Sequence, residues 1–407
     1  MDELAPEPAF DLLAGSFAAL RDQQELAVAR AHGRVLARAL VAPADLPSAD
    51  LAAMDGYALR SSDATAARNE LALAGRVLAG QHLAAAPAPG QCVRIMTGAP
   101  MPAACDAVVM MEHAQVGRDG RIVLPGPVAP GLNCRRRGEH LRAGTEALAA
   151  GRALRSADLA LASAVGADNL RVFRALRVGV LSTGDELRAA PDLLPVGGAY
   201  DSNRPMLLAA LGTGALEGID LGICPDDSQA LARAIDRAYE LRVDALLTSG
   251  GAAMGDADVL RSQPGVCFQA VRMRPGRGLA YASWRRGAQS LAMLGLPGNA
   301  VAAYVMMHLL VRPLLLRMAG AQARPPLPLR LPITSDLQAR AGRVDYRRAR
   351  LVRGGAGATA VEVLPLQGSA MIRTVSAAEA LVAVGPDPSY RAGDCLPCYL
   401  FEGIEPR

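Results

Sequence analysis

The stretch Val178-Gly179-Val180-Leu181-Ser182-Thr183-Gly184-Asp185-Glu186-Leu187 carries a short apolar run straight into a hydroxyl-rich, acidic turn. Valine and leucine without polar alternation fit a strand buried on both faces, as in a parallel sheet. Open α/β sheets bind their ligands at the carboxyl ends of such strands. There Ser182 and Thr183 can reach a phosphate, Gly184 permits a tight backbone, and Asp185 and Glu186 can hold a divalent cation. An ordinary strand-to-helix loop uses the same residue types, so this turn alone leaves both readings open.

Three more turns follow the same plan. Pro225-Asp226-Asp227-Ser228 comes after Leu221-Gly222-Ile223, and Ser249-Gly250-Gly251 follows Leu246-Leu247-Thr248 and leads to Gly255-Asp256-Ala257-Asp258. Gly295-Leu296-Pro297-Gly298-Asn299 follows Leu291–Leu294 and opens a long helix. Between residues 172 and 320 the patterning predicts strands at Val178–Leu181, Ala215–Ile223, Ala245–Thr248, Val266–Met273 and Leu291–Leu294. Helices are predicted at Pro205–Leu211, Ser228–Glu240 and Ala300–Met318, with Asp201-Ser202-Asn203 as a helix start. This alternation specifies a doubly wound α/β domain with a parallel sheet. Its strand ends share one edge, so Glu186, Asp226 and Asp258 can converge on a cation. Asp226 could equally cap a helix, and Asp258 could be a solvated loop acid.

The rest of the chain reads differently. Helical periodicity is predicted over residues 9–40 and again from Ser156 to Val165, around a segment of short Val/Ile runs punctuated by Gly and Pro. The expected division is a discontinuous helical domain (1–48 and 143–172), an inserted β module (49–142), the α/β domain (173–323) and a C-terminal small β-barrel (324–407). In the β module, Ala53-Met54-Asp55-Gly56-Tyr57-Ala58 and Arg94-Ile95-Met96-Thr97-Gly98-Ala99-Pro100 place a carboxylate and a hydroxyl at turns. Arg135-Arg136-Arg137-Gly138-Glu139-His140 could be a salt-bridge cluster or hold an anion. Cys395 and Cys398 have CxxC spacing but no second pair to complete a zinc site, and His32, His82, His113 and His308 stand singly.

Composition narrows the classes. A chain of 407 residues exceeds one core, and 51% apolar residues with 3% aromatics means Ala, Leu and Val fill the interiors. The net charge of +4 and the lack of a dense basic, aromatic-studded segment give no case for nucleic acid. The apolar stretch Ala300 to Val311 is short for a bilayer, and the acidic start Met1-Asp2-Glu3 lacks the cationic region of a leader. Seven cysteines, an odd number, point to a reducing compartment, so the expectation is a cytoplasmic protein. All 43 basic residues are arginine, so any anion site must use a planar, permanently charged fork.

Taken in chain order, AMDGYA (53–58), RIMTGAP (94–100), RRRGE (135–139), STGDEL (182–187), DSN (201–203), SGG (249–251), GDAD (255–258), LPGN (296–299), GRVDYRR (342–348) and QGS (367–369) resemble the molybdopterin molybdenumtransferases, the MoeA and gephyrin E-domain family. The resemblance implies a homodimer of elongated four-domain subunits. Such a protein transfers molybdenum from molybdate to adenylylated molybdopterin, with a divalent cation such as Mg2+, and releases AMP. It implies Glu186, Asp226 and Asp258 as cation ligands. Ser182, Thr183, Gly184, Asp185, Ser249, Gly250, Gly251, Pro297, Gly298 and Asn299 would hold the pterin nucleotide. Asp55 and Thr97 would face the cleft from the β module of the partner, with Asp55 joining the acids in catalysis. Arg274, Arg277, Arg343 and Ser369 would surround molybdate. Cofactor-assembly proteins and recipient molybdoenzymes are the implied macromolecular partners.

The chain departs from the family pattern at three places. His140 stands where the family has Asp, Arg274-Pro275-Gly276-Arg277-Gly278 replaces a lysine-bearing KPGKP loop, and Ala302 removes a hydroxyl after LPGN. With Ala270 in place of a basic residue, these changes motivate an alternative, a non-catalytic or specialised paralogue that binds molybdopterin as a carrier. A different phosphoanhydride-cleaving enzyme built on the same acids is a third reading.

Overall fold

The computed structural model describes residues 3–401 except 66–68, 213, 253–258, 355–356 and 387–388. Six strands form the central sheet of the α/β region: β1 (Leu176–Thr183), β2 (Leu216–Cys224), β3 (Ala245–Ser249), β4 (Cys267–Ala270), β5 (Gly278–Arg286) and β6 (Gln289–Leu296). Their order across the sheet is β2-β1-β3-β6-β5-β4, with the first four mutually parallel. Three helices cover it: α1 (Asn203–Ala210), α2 (Ser228–Glu240) and α3 (Ala300–Met318).

Side chains alternate between the two faces of the sheet along each central strand, as a period of two demands, and both faces are buried. Val178, Val180, Leu247 and Leu294 pack with Leu207 of α1 and with Val301 and Leu310 of α3. Leu181, Leu246 and Met293 turn the other way, onto Leu231, Ile235 and Ala238 of α2. Helices on both faces make the sheet doubly wound, and each fully buried leucine contributes about 2 kcal/mol. The turn of α3 at Met307–Val311 is π-helical. Although α3 has the length and mean hydropathy (1.4) to cross a membrane, 72% of it is buried inside the protein, as a core helix is.

Two details of the sheet differ from expectation. The predicted all-parallel sheet ends in an antiparallel pair, because β5 pairs antiparallel with β6 and β4 with β5. The predicted strand Val266–Met273 is split: Cys267–Ala270 forms the sheet edge, while Met273–Arg274 leaves to pair in parallel with Val344–Arg353 of the C-terminal sheet. One sheet thus hands the chain to another within four residues. The loop from Arg274 to Gly278 spans the junction between them.

Before the α/β region, the expected helix over 9–40 is found only at Pro6–Ser16, where Ala9, Phe10 and Leu13 bury against α3. Past it, Gln23–Ala27 is a strand paired antiparallel with Asn169–Phe173. Its backbone finds a partner strand far along the chain, and that pairing overrides a local helical pattern. Leu40–Val41 pairs likewise with Glu146–Leu148, so the two segments flanking the β module form one body around Val28, Leu36, Leu154 and Val172. The second expected helix is present at Ser156–Ala164.

The β module holds a six-stranded mixed sheet centred on Gly56–Leu59 and Gln91–Ile95. Its interior includes Tyr57, Leu59, Leu71, Cys92 and Val109. The C-terminal region is strand-rich, with Val344–Arg353, Ala380–Val384, Cys395–Leu400 and Leu329–Pro332 in one sheet over Ile333, Leu337, Val361 and Val382.

Candidate functional site

Three loops meet at the carboxyl edge of β1, β3 and β6, and glycine lets them touch. Gly250 and Gly251 adopt left-handed backbones, with φ of 98° and 73°. A Cβ on Gly250 would lie 2.5 Å from Thr183 Oγ1 and 2.6 Å from the Thr183 carbonyl oxygen, so only hydrogen fits. Gly298 rides over Gly250, with its own Cβ position 3.5 Å from the Gly250 Cα. The Gly250 N–H donates to the Leu296 carbonyl at 3.1 Å. The STGDE, SGG and LPGN loops are therefore stacked backbone on backbone.

The segment before α1 ties these loops together. Ser182 Oγ donates to Asp201 Oδ1 at 3.0 Å, and Asn203 Nδ2 donates to Ser249 Oγ at 2.6 Å and to the Gly298 carbonyl at 2.7 Å. Asn203 is 7% exposed. Its Oδ1, together with Thr183 Oγ1 and Asn299 Oδ1, is buried without a hydrogen-bond partner. Unpaired buried oxygens are costly, and among the described residues three cluster at this one set of loops. The sequence reading took 201–203 as a helix start and as one motif of the family resemblance, without giving Asn203 a role. Its signal was Asn203, a side chain with two donors beside a hydroxyl-bearing strand end. We expect Asn203→Ala to raise the KM for a ligand held by these loops about tenfold, because the loops it joins lose their spacing. Unchanged KM in steady-state kinetics would refute that role.

The acids occupy the neighbouring turn. Asp226 N–H donates to Asp185 Oδ1 at 3.1 Å. Burial, followed by the negative charges of Asp185 and Glu186, pushes the Asp226 carboxyl above the usual range. The capping role falls to Asp227, whose Oδ1 accepts from the Ala230 N–H at 2.7 Å, which leaves Asp226 free of it. Glu186 folds back over the turn: a Cβ on Gly184 would be 2.5 Å from Glu186 Oε2. Among the described residues no three acid, cysteine or histidine side chains are grouped to hold a metal. Asp258, the third predicted ligand, lies outside the described residues. What remains is a crowded pair, Glu186 and Asp226, whose mutual repulsion a cation would relieve, so the residues present fit a divalent ion.

A cavity of about 370 Å³ opens beside the stacked loops, lined by Ala252, Gly276, Arg277, Gly278, Pro297, Gly298 and Asn299. The junction loop reaches it because Gly276, at φ 103°, packs so closely on Met306 of α3 that a Cβ would sit 2.6 Å from Met306 Cγ. Arg274 is in register with Asp345 where the two sheets join. Arg277 and Arg343, predicted together, do converge: both pair with the carboxylate of Glu3.

Ser369 sits on an exposed loop held from beneath by a residue the sequence reading passed over. Arg348, 1% exposed, donates through Nε to Thr374 Oγ1 (3.0 Å) and through Nη2 to the carbonyls of Leu366 (3.2 Å) and Gly368 (3.0 Å). Gln367 returns two bonds to the Arg348 backbone. Burial lowers the Arg348 pKa, yet three acceptors surround its charge.

On the β module, Asp55 Oδ1 accepts from both the backbone N–H and the Oγ1 of Thr97, each at 2.7 Å. Those two bonds hold its carboxyl below the usual range, so Asp55 is ionised at neutral pH. The arginine run is mostly structural. Arg136 pairs with Asp50 (2.9 Å), Arg137 pairs with Asp45 (2.5 Å), and Glu139 accepts from the Arg136 N–H, while Arg135 and His140 face solvent. Ala270 and Ala302, two of the departures, are both buried.

Stacked glycine loops with an acidic turn beside them, and an arginine-bearing junction loop lining the adjoining cavity, define a doubly wound α/β protein with its polar loops gathered at one sheet edge. Comparison with known proteins is more specific. Residues 4–166 match the MoeA N-terminal region (domain I and II), 179–317 a probable molybdopterin binding domain, and 330–401 the MoeA C-terminal region (domain IV). The chain is 35% identical to a molybdopterin molybdenumtransferase of Haemophilus influenzae over 83% of its length and 84% of the relative's. It is also 35% identical to that of Synechococcus elongatus, over 84% and 85%. The crystal structure of a molybdopterin biosynthesis MoeA protein from Pyrococcus horikoshii superposes with a TM-score of 0.82 at 25% identity, covering 98% of this chain and all of that one. The chain belongs to the molybdopterin molybdenumtransferase family.

Proposed function

We propose that the protein is a molybdenum insertase that moves molybdenum from molybdate onto the dithiolene of adenylylated molybdopterin, cleaving the phosphoanhydride and releasing AMP. The observation that supports this reading is the stacking of three glycine loops beside the Glu186/Asp226 turn, with Arg277 lining the adjoining cavity and linked to Arg343 through Glu3.

Ser182, Thr183, Gly184, Asp185, Ser249, Gly250, Gly251, Pro297, Gly298 and Asn299 bind and orient the pterin nucleotide. Backbone N–H groups at the start of α3 face its phosphates. Glu186 and Asp226, with Asp258, would hold Mg2+ or another divalent cation, which when bound neutralises charge on the phosphoanhydride oxygens. Arg274, Arg277, Arg343 and Ser369 collect the molybdate dianion; arginine's fork suits paired oxygens, which makes the all-arginine composition compatible with the task. Asp55, kept ionised by Thr97, stands ready to accept a proton or orient water at the cleft.

We also propose a homodimer in which the β module of one copy brings Asp55 and Thr97 to the α/β cleft of the other. The proposed divisions at 48/49, 142/143, 172/173 and 323/324 are supported by separate interiors in the β module, its flanking segments and the C-terminal sheet, while the α/β interior also takes in Phe10, Leu13, Tyr346 and Phe401. Seven unpaired cysteines support action in the cytoplasm.

Expression in a bacterium deleted for its own molybdenumtransferase tests this function. The chain should restore molybdoenzyme activity, as the Haemophilus influenzae relative serves to calibrate. Accumulation of adenylylated molybdopterin despite abundant soluble protein would overturn it.

A further inference from the structure

The arginine pair already holds a carboxylate. Arg277 Nε donates to Glu3 Oε1 at 2.7 Å, Arg343 Nη2 lies 3.1 Å from the same oxygen, and Arg343 Nε donates to Glu3 Oε2 at 3.2 Å. Glu3 is placed by its backbone. Its carbonyl accepts from Arg272 Nη2 (3.1 Å), and Leu4 is docked beside Val271 by a bond to the Ala270 carbonyl (2.9 Å) and one from the Arg272 N–H (2.6 Å). Two guanidinium groups gripping an edge of two oxygens is the geometry in which arginine takes any oxyanion, tetrahedral ones included.

We propose that Glu3 is a tethered occupant of the oxyanion position between Arg277 and Arg343, which an incoming tetrahedral dianion must displace. The inference rests on the reading of these arginines as oxyanion ligands. Three observations favour exchange over a fixed structural pair. The side chains of Arg277, Arg343 and Glu3 are 50%, 27% and 23% exposed, so displacement opens no core. Exposed ion pairs are weak, so an anion can compete with them. Arg277 also lines the cavity beside the nucleotide loops, so an anion arriving there reaches the pair from the substrate side. Desolvation raises the Glu3 carboxyl, but Arg343 and Arg277 more than offset it, so the occupant carries its charge.

The consequence is selectivity by charge. A single tethered carboxylate leaves one of the two positive charges uncompensated, which a dianion neutralises and a monoanion does not. A tethered group competes at an effective concentration in the millimolar range, so it screens out weak monoanions and delays a dianion only modestly.

The test is equilibrium binding of molybdate to the full chain, to Glu3→Gln and to an Arg277→Ala/Arg343→Ala double variant, with thermal melting to confirm that each is folded. Glu3→Gln keeps the size and removes the charge. It should bind molybdate about five- to tenfold more tightly, while the double variant loses saturable binding. If Glu3→Gln binds equally or more weakly and the double variant still loses binding, Glu3 is a structural partner and the proposal is overturned. If the double variant binds like wild type, the arginine reading itself fails, and the proposal with it.

Discussion

Glu186→Gln lowers the rate of AMP release by about 100-fold or more, on the scale of removing one preorganised electrostatic group from a catalytic site. The substitution keeps the volume and one carbonyl oxygen but deletes the charge facing Asp226. Removing one of two repelling carboxylates relieves their repulsion, so the variant should melt no lower than wild type. Rate loss with retained or improved stability separates a ligand from a structural acid. Raising Mg2+ should recover part of the activity, since the weakened site still has Asp226. An Mg2+ titration at fixed nucleotide reads this directly, and a Glu186→Gln protein with the wild-type rate would remove the acid from the mechanism.

Arg348→Ala should cost about 3 kcal/mol of stability, because a buried charged donor leaves Thr374 Oγ1 and two carbonyls without their partner. Lysine cannot substitute, since a single ammonium cannot reach three acceptors from one position. The loop bearing Ser369 hangs from these bonds, so KM for molybdate should rise in the same variant with less change in kcat. Ser369→Ala provides the contrast: similar loss of molybdate affinity with an unchanged unfolding midpoint. Denaturant titration of both variants decides the matter, and wild-type stability in Arg348→Ala would show that the loop is held by something else.

Much of the site was legible because it is local. Strand-end loops carry their chemistry in contiguous residues, so STGDE, SGG and LPGN could be read directly, and α2 is found over the predicted Ser228–Glu240. Whatever depends on distant pairing was not. Gln23–Ala27 carries a helical pattern and becomes a strand only because Asn169–Phe173 offers it a backbone. Strand β5 is rich in Ala, with Gly278 at its start and two arginines at its end, and lacks the β-branched residues that announce a strand. Arg348 sits in a run of charge that suggests solvent, and only the fold of the QGS loop buries it. Glu3 looked like part of an acidic chain start; its meaning lies in Arg277 and Arg343, more than 270 residues away.

Three of the four departures from the family pattern can also be placed. Ala270 is buried, its carbonyl accepting from the Leu4 N–H, and Arg272, two residues on, holds the Glu3 carbonyl. Ala302 is buried within α3, and His140 is exposed on the β module. None of these changes touches Glu186, Asp226 or the stacked loops.

A single-turnover reaction of the purified chain with adenylylated molybdopterin, molybdate and Mg2+ tests the central claim most directly. AMP and dithiolene-bound molybdenum should form in equal amounts, and omission of molybdate should suppress AMP. Bound nucleotide with neither product, or AMP released at the same rate without molybdate, would contradict the assignment.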